Sequence, residues 1–122
     1  MTSRTSPECA TTARIELTRA SDDEIVARVR PDRADPVFAG HYPGFPLLPG
    51  VHIVEYVHRA VLAAAPTVVL AELVYCRFLR AIDLDDELVI KVRRDGELCH
   101  GTVTVSDAPA AEVVLRYRNG GD

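Results

Sequence analysis

Residues 31–50 hold five prolines (Pro31, Pro36, Pro43, Pro46, Pro49) and three glycines (Gly40, Gly44, Gly50). Proline removes a backbone donor and fixes φ, so no regular helix or central strand runs through such density. A long irregular segment in a chain of only 122 residues points to a functional loop rather than filler. The rest is ordinary globular material. Hydrophobic residues make up 48% and charged residues 26%, enough for one domain and too apolar for intrinsic disorder.

Around the loop the hydrophobic periodicity sets the elements. Residues 14–19 and 25–30 alternate apolar with polar and predict half-buried strands, with Ser21-Asp22-Asp23 as the turn between them. A helix is predicted from Pro49-Gly50 to Ala65, where Pro66 stops it. At about 100° per residue, Ile53, Val54, Val57, Ala60, Val61, Ala64 and Ala65 share one apolar arc. His52, Tyr56 and Arg59 fall opposite, Glu55 at the border and His58 inside the arc. Strand-like runs follow at Val68–Leu79, Glu87–Arg94, His100–Ser106 and Glu112–Arg118, with turns at Asp83–Asp86 and Arg94-Asp95-Gly96. The pattern is α+β, a mainly antiparallel sheet wrapped on one helix. So small a layer leaves apolar surface over, and a dimer is expected. Residues 1–12 read as a flexible tail, 13–118 as the domain and 119–122 as a second tail.

Charge and composition narrow the function. The formal net charge of −4 argues against a nucleic-acid partner, which needs a basic face. Cys9, Cys76 and Cys99 fit neither a zinc ribbon nor a CxxC pair, and a reducing cytoplasm is the simplest setting. The first dozen residues show no apolar targeting segment, and Val61–Val74 contains Pro66 and Glu72 and is too short to span a bilayer.

The chemistry concentrates between residues 38 and 59. His41 lies between Gly40 and Pro43, on a stiff loop where an imidazole titrating near neutrality takes or gives a proton. Gly50 presents its N–H at the positive end of the helix dipole, suited to a carbonyl oxygen gaining negative charge. Its missing Cβ lets that oxygen come close. Glu55, at the edge of the apolar arc, is expected to be partly desolvated, which favours a protonated acid able to donate to a leaving group. Read alone, Glu55 also fits a surface carboxylate paired with Arg59 at i, i+4. His52-x-x-Glu55-x-x-His58 suggests metal ligation, but the two imidazoles lie well apart around a helix and no fourth ligand is evident, so no metal is expected. His58 instead fits a buried, hydrogen-bonded histidine.

Gly40-His41-Tyr42-Pro43, Pro46, Pro49-Gly50-Val51 and Glu55 together resemble the signature of bacterial 3-hydroxyacyl-[acyl-carrier-protein] dehydratases, roughly GHFPxxPxxPGVxxxE. The resemblance is strong over 38–59 and extends at the level of pattern from 14 to 118. It implies a hotdog fold and a dimer, homo-oligomeric or heterodimeric, whose two sites lie between subunits. His41 would act as base from one chain and Glu55 as acid from the other, with Gly50 polarising the thioester. The implied substrate is a (3R)-3-hydroxyacyl group on the phosphopantetheine arm of an acyl carrier protein, dehydrated to the trans-2-enoyl thioester with no metal or diffusible cofactor. Phe38, Tyr42, Phe45, Val51 and Phe78 are the candidate substrate contacts beside an apolar tunnel. Arg77, Arg80, Arg93 and Arg94 are candidates for docking the acidic carrier.

The chain departs from that pattern on the helix. Tyr56 and His58 stand where the family has small residues, Arg59 where it has glutamine, and His52 at a commonly apolar position. These departures leave fatty-acid and polyketide or polyene assembly equally open. They also leave open a non-catalytic hotdog subunit that binds acyl chains. A hotdog thioesterase is disfavoured by the histidine at position 41.

Overall fold

The computed structural model describes residues 13–32, 48 and 50–120. The expected tail at 1–12 and the candidates Phe38, His41, Tyr42 and Phe45 lie outside the described residues. The elements in chain order are β1 (Arg14–Ala20), β2 (Glu24–Arg30), α1 (Gly50–Ala64), β3 (Val68–Phe78), β4 (Leu88–Asp95), β5 (Leu98–Val105) and β6 (Ala108–Asn119). The strands form one sheet in the order β1-β2-β4-β5-β6-β3, and every neighbouring pair is antiparallel. Helix α1 packs against β1, β2, β3, β4 and β6. A sheet wrapped on a helix in this way is the hotdog arrangement.

Short-range chemistry sets the hairpins. Ser21 Oγ accepts the Glu24 N–H at 3.1 Å, and the Ser21 N–H donates to Glu24 O. Gly96 takes a φ of 61° at the β4–β5 turn, a conformation glycine adopts without steric cost. The β5–β6 turn uses two non-glycine residues at positive φ, Ser106 and Asp107. That geometry matches the twist of a tight hairpin.

The core is one cluster between helix and sheet. Ile53, Tyr56, Val57, Ala60 and Val61 of α1 meet Ile25, Ala27 and Val29 of β2, Ile90 and Val92 of β4, and Val113 and Leu115 of β6. At Gly101 in β5, a Cβ would sit 2.9 Å from Val57 Cγ1, so the glycine sets how closely α1 approaches the sheet.

Several expectations are corrected. Tyr56, expected opposite the apolar arc, is fully buried at 0% exposure. Ile53, Tyr56, Val57, Ala60 and Val61 follow the i, i+3, i+4, i+7, i+8 stripe, so the buried face is rotated toward Tyr56 and leaves Val54 half-buried. β1 is mostly exposed because it is a sheet edge. β6 begins at Ala108, four residues before the alternation at Glu112. Pro109 reads as a breaker in sequence, yet it pairs with Thr104 beside a register shift, where a proline is tolerated. Asn119, assigned to a tail, ends β6, and the Gly120 N–H donates to Thr67 O at 3.0 Å.

Candidate active site

Gly50 is the first residue of α1. Just before it, the Leu48 N–H donates to Ile82 O at 2.7 Å, which ties the helix entry to the segment after β3. Phe78, the last residue of β3, lays its ring against Gly50. A Cβ there would lie 2.9 Å from Phe78 Cζ and 3.0 Å from Cε2, so only glycine fits under the ring without a shift. Leu48, Gly50, Ile53, Phe78 and Arg80 are among the residues bordering a cavity of about 370 Å³ at this helix end. A helix N-terminus with an apolar wall is a site for a polarised carbonyl carrying an acyl group.

Glu55 does not border that cavity. Five residues of α-helix turn through about 140° net and rise about 7.5 Å, so Glu55 leaves α1 on a different side from Gly50. Its side chain is 17% exposed, and Arg59 Nε donates to Glu55 Oε2 at 2.8 Å. Both readings of Glu55, partly desolvated and paired with Arg59, are therefore met together.

His58, one turn further along, is half-buried and stacks on Tyr117 of β6 with ring centroids 5.7 Å apart. The Nδ1 of His58 and the Tyr117 hydroxyl share a hydrogen bond of 2.8 Å. Burial pushes the His58 imidazole below its ordinary value; Glu55 opposes that shift and Arg59 adds to it. Burial raises the Tyr117 phenol, with Cys99 and Glu55 adding to the rise. Tyr117 thus keeps its proton, and the direction of its bond to the imidazole follows the His58 tautomer. Cys99 is likewise raised by burial, which Arg94 partly offsets.

The lowered His58 value has a stability consequence. Below its ordinary value of 6.5 the unfolded chain binds a proton that the folded chain resists, so stability falls as pH drops through that window. Thermal melts between about pH 5 and 7.5 should show the wild type losing more stability on acidification than His58→Asn. Equal slopes would remove His58 from the account.

The remaining candidates separate in space. Phe78 is at the Gly50 cavity, with Arg80 on its rim and Arg77 one residue before Phe78. Val51 follows Gly50 and is 70% exposed. Arg93 and Arg94 are elsewhere. Arg94 borders a second cavity with Val61, Val68, Cys99 and Tyr117, and its N–H donates to Asp23 O. Val68 opens β3 and Phe78 ends it, so the two cavities lie at opposite ends of the strand. Through the sheet, Arg93 stands level with Tyr75 of β3 by way of His100 and Val114, and Arg94 stands level with Leu73 by way of Cys99 and Leu115. Sequence reading also missed Tyr117 as the partner of His58, because cross-sheet contacts leave no local signal.

Among the described residues no three histidine, cysteine or acidic side chains gather as a metal site. Nor, among the described residues, is any helix long and apolar enough to cross a membrane.

Known proteins share this architecture. Residues 17–112 match the family model for ApeI-like dehydratases. The curated 3-hydroxyacyl-[acyl-carrier-protein] dehydratase FabZ of Thermotoga petrophila is 37% identical over 95 residues, 70% of this chain and 65% of that protein. The chain thus spans just under two thirds of that relative's length. The Thermotoga neapolitana FabZ is 33% identical over 101 residues, 75% of this chain and 70% of that protein. Among solved structures, the dehydratase heterocomplex ApeI:P from Xenorhabdus doucetiae superposes with a TM-score of 0.72 at 20% identity, covering 88% of this chain and 96% of that one. A hypothetical thioesterase with coenzyme A from Streptococcus pneumoniae TIGR4 gives 0.62 at 16% identity, covering 89% of each. At such identities the structures speak for the fold.

Proposed function

Because the chain belongs to the ApeI-like dehydratase family, we propose that it dehydrates (3R)-3-hydroxyacyl thioesters carried on the phosphopantetheine of an acyl carrier protein. The observation that carries this reading is the pairing of parts on α1. Gly50, at the helix N-terminus, borders a cavity of about 370 Å³, and Glu55 leaves the helix on another side. A carboxyl so placed serves the cavity of a second chain more readily than its own. Two copies joined along the β3 edge, each lending Glu55 to the other, complete two sites.

In the reaction, the Gly50 N–H donates to the thioester carbonyl oxygen, stabilises the negative charge that develops there and so acidifies C2. His41 removes the C2 proton. The electron pair forms the C2–C3 double bond as the C3–O bond breaks. Glu55 of the second chain gives its proton to the departing oxygen, which leaves as water. His41 ends protonated and Glu55 ionised, and a proton passing between them through solvent resets the site. The thioester supplies the acidity, so no metal or diffusible cofactor takes part. Phe38, Tyr42, Phe45, Val51 and Phe78 contact the acyl group. Arg77 and Arg80, at the cavity end of β3, meet the acidic carrier, with Arg93 and Arg94 of β4 as further candidates for the same contact.

Incubation with 3-hydroxyacyl carrier thioesters of several chain lengths tests the reading. The expected product is the enoyl thioester, lighter by one water. Release of free thiol instead would identify a thioesterase. The ApeI:P relative is a heterocomplex, which favours a second reading in which the neighbouring chain is a different hotdog subunit. A purified chain that is inactive alone and gains turnover with a second subunit would select it.

A further inference from the structure

We propose that Arg59 is a positioning residue for the acid, holding the Glu55 carboxyl in its working orientation within its own chain. The inference rests on the dehydratase reading above and adds a residue to it.

The pair differs from an ordinary surface ion pair. Glu55 and Arg59 are only 17% and 32% exposed, and the bond from Nε at 2.8 Å is short and charge-assisted. Glutamate N-terminal to arginine at i, i+4 is the favourable order along a helix. The next side chain, His58, is anchored to β6 through Tyr117, so this turn of α1 is held against the sheet. A planar guanidinium approaching through Nε fixes direction as well as distance. A free glutamate samples several rotamers, and a misplacement near 1 Å costs an enzyme on the order of 10²-fold in rate. Arg59 removes that freedom before any substrate arrives. When Glu55 gives up its proton it becomes a carboxylate, and Arg59 lies ready to receive it. His58 and Tyr117 also feel this carboxyl, and the two are hydrogen-bonded to each other.

The test uses full-length Arg59→Met, which keeps the apolar stem and loses the donor, beside Arg59→Gln, which keeps an N–H donor at similar reach. The expected result for R59M is a fall in kcat of about 10- to 100-fold with KM unchanged within about twofold. R59Q should recover most of that loss. In a Glu55→Gln background R59M should add nothing further, since the group it positions is gone. Wild-type kcat in R59M, with Glu55→Gln inactive, overturns the role of Arg59 and leaves the dehydratase site standing. Wild-type kcat in Glu55→Gln overturns the site reading itself. Should R59M not fold, Arg59→Lys replaces it, because an ammonium lacks the planar Nε–H geometry. A loss near tenfold supports the proposal, and wild-type kcat in R59K contradicts it.

Discussion

Glu55→Gln is expected to lower dehydration turnover by about 10²–10⁴-fold, the usual contribution of a general acid. The amide keeps the size of the side chain and still accepts a bond from Arg59 Nε. What it lacks is an acidic proton that can be transferred to the departing hydroxyl. Binding of the thioester should change little, because the carbonyl is held at Gly50, so KM should stay near its original value. Losing the Arg59 ion pair should cost well under the fold's total stability, because i, i+4 pairs contribute about 0.3–0.5 kcal/mol when exposed and more when half-buried. Circular dichroism and a thermal melt therefore separate loss of chemistry from loss of fold. His41→Ala should give the same loss of turnover in a folded protein. Retained turnover in either variant would remove that residue from the reaction.

The second large effect concerns β3. It is a sheet edge, and it exposes Leu73, Tyr75 and Phe78 at 48%, 45% and 47%. An edge strand with apolar side chains and unpaired backbone groups invites another strand. Native edges that must stay single carry charge, and a second copy covers this one in the proposed assembly. The double variant Leu73→Lys, Tyr75→Lys should elute as a folded monomer. Its turnover should drop by about 10²-fold or more, since each cavity then lacks the Glu55 of its neighbour. A monomer that kept wild-type turnover would mean that each chain carries a complete site.

Much of this was readable in the sequence, for physical reasons. Pro49 and Pro66 bracket α1, and proline acts locally, so the helix appears with an error of one residue at its end. The Glu55–Arg59 pair is also local, set by helical spacing alone. Non-local placement leaves no such local trace. Arg94 sits with Cys99 and Tyr117 because β4, β5 and β6 pair in a register fixed by the whole sheet. The Phe78 ring meets Gly50 across 28 positions of sequence, and no periodicity reports that contact. Tyr56 was misplaced because counting Val54, Ala64 and Ala65 into the apolar arc turned its centre away from the stripe that the sheet covers, to which Tyr56 belongs. β6 starts earlier than its alternation shows, because Ala108–Ala111 pairs with β5 through a proline and small residues that carry no apolar/polar alternation.

The most direct measurement mixes two inactive proteins, His41→Ala and Glu55→Gln, under conditions where subunit exchange is demonstrated. Random pairing makes half of the dimers mixed, and each mixed dimer holds one site with both groups intact, so about a quarter of wild-type turnover should return. No recovery in exchanged dimers would contradict the account, because base and acid would then have to come from the same chain.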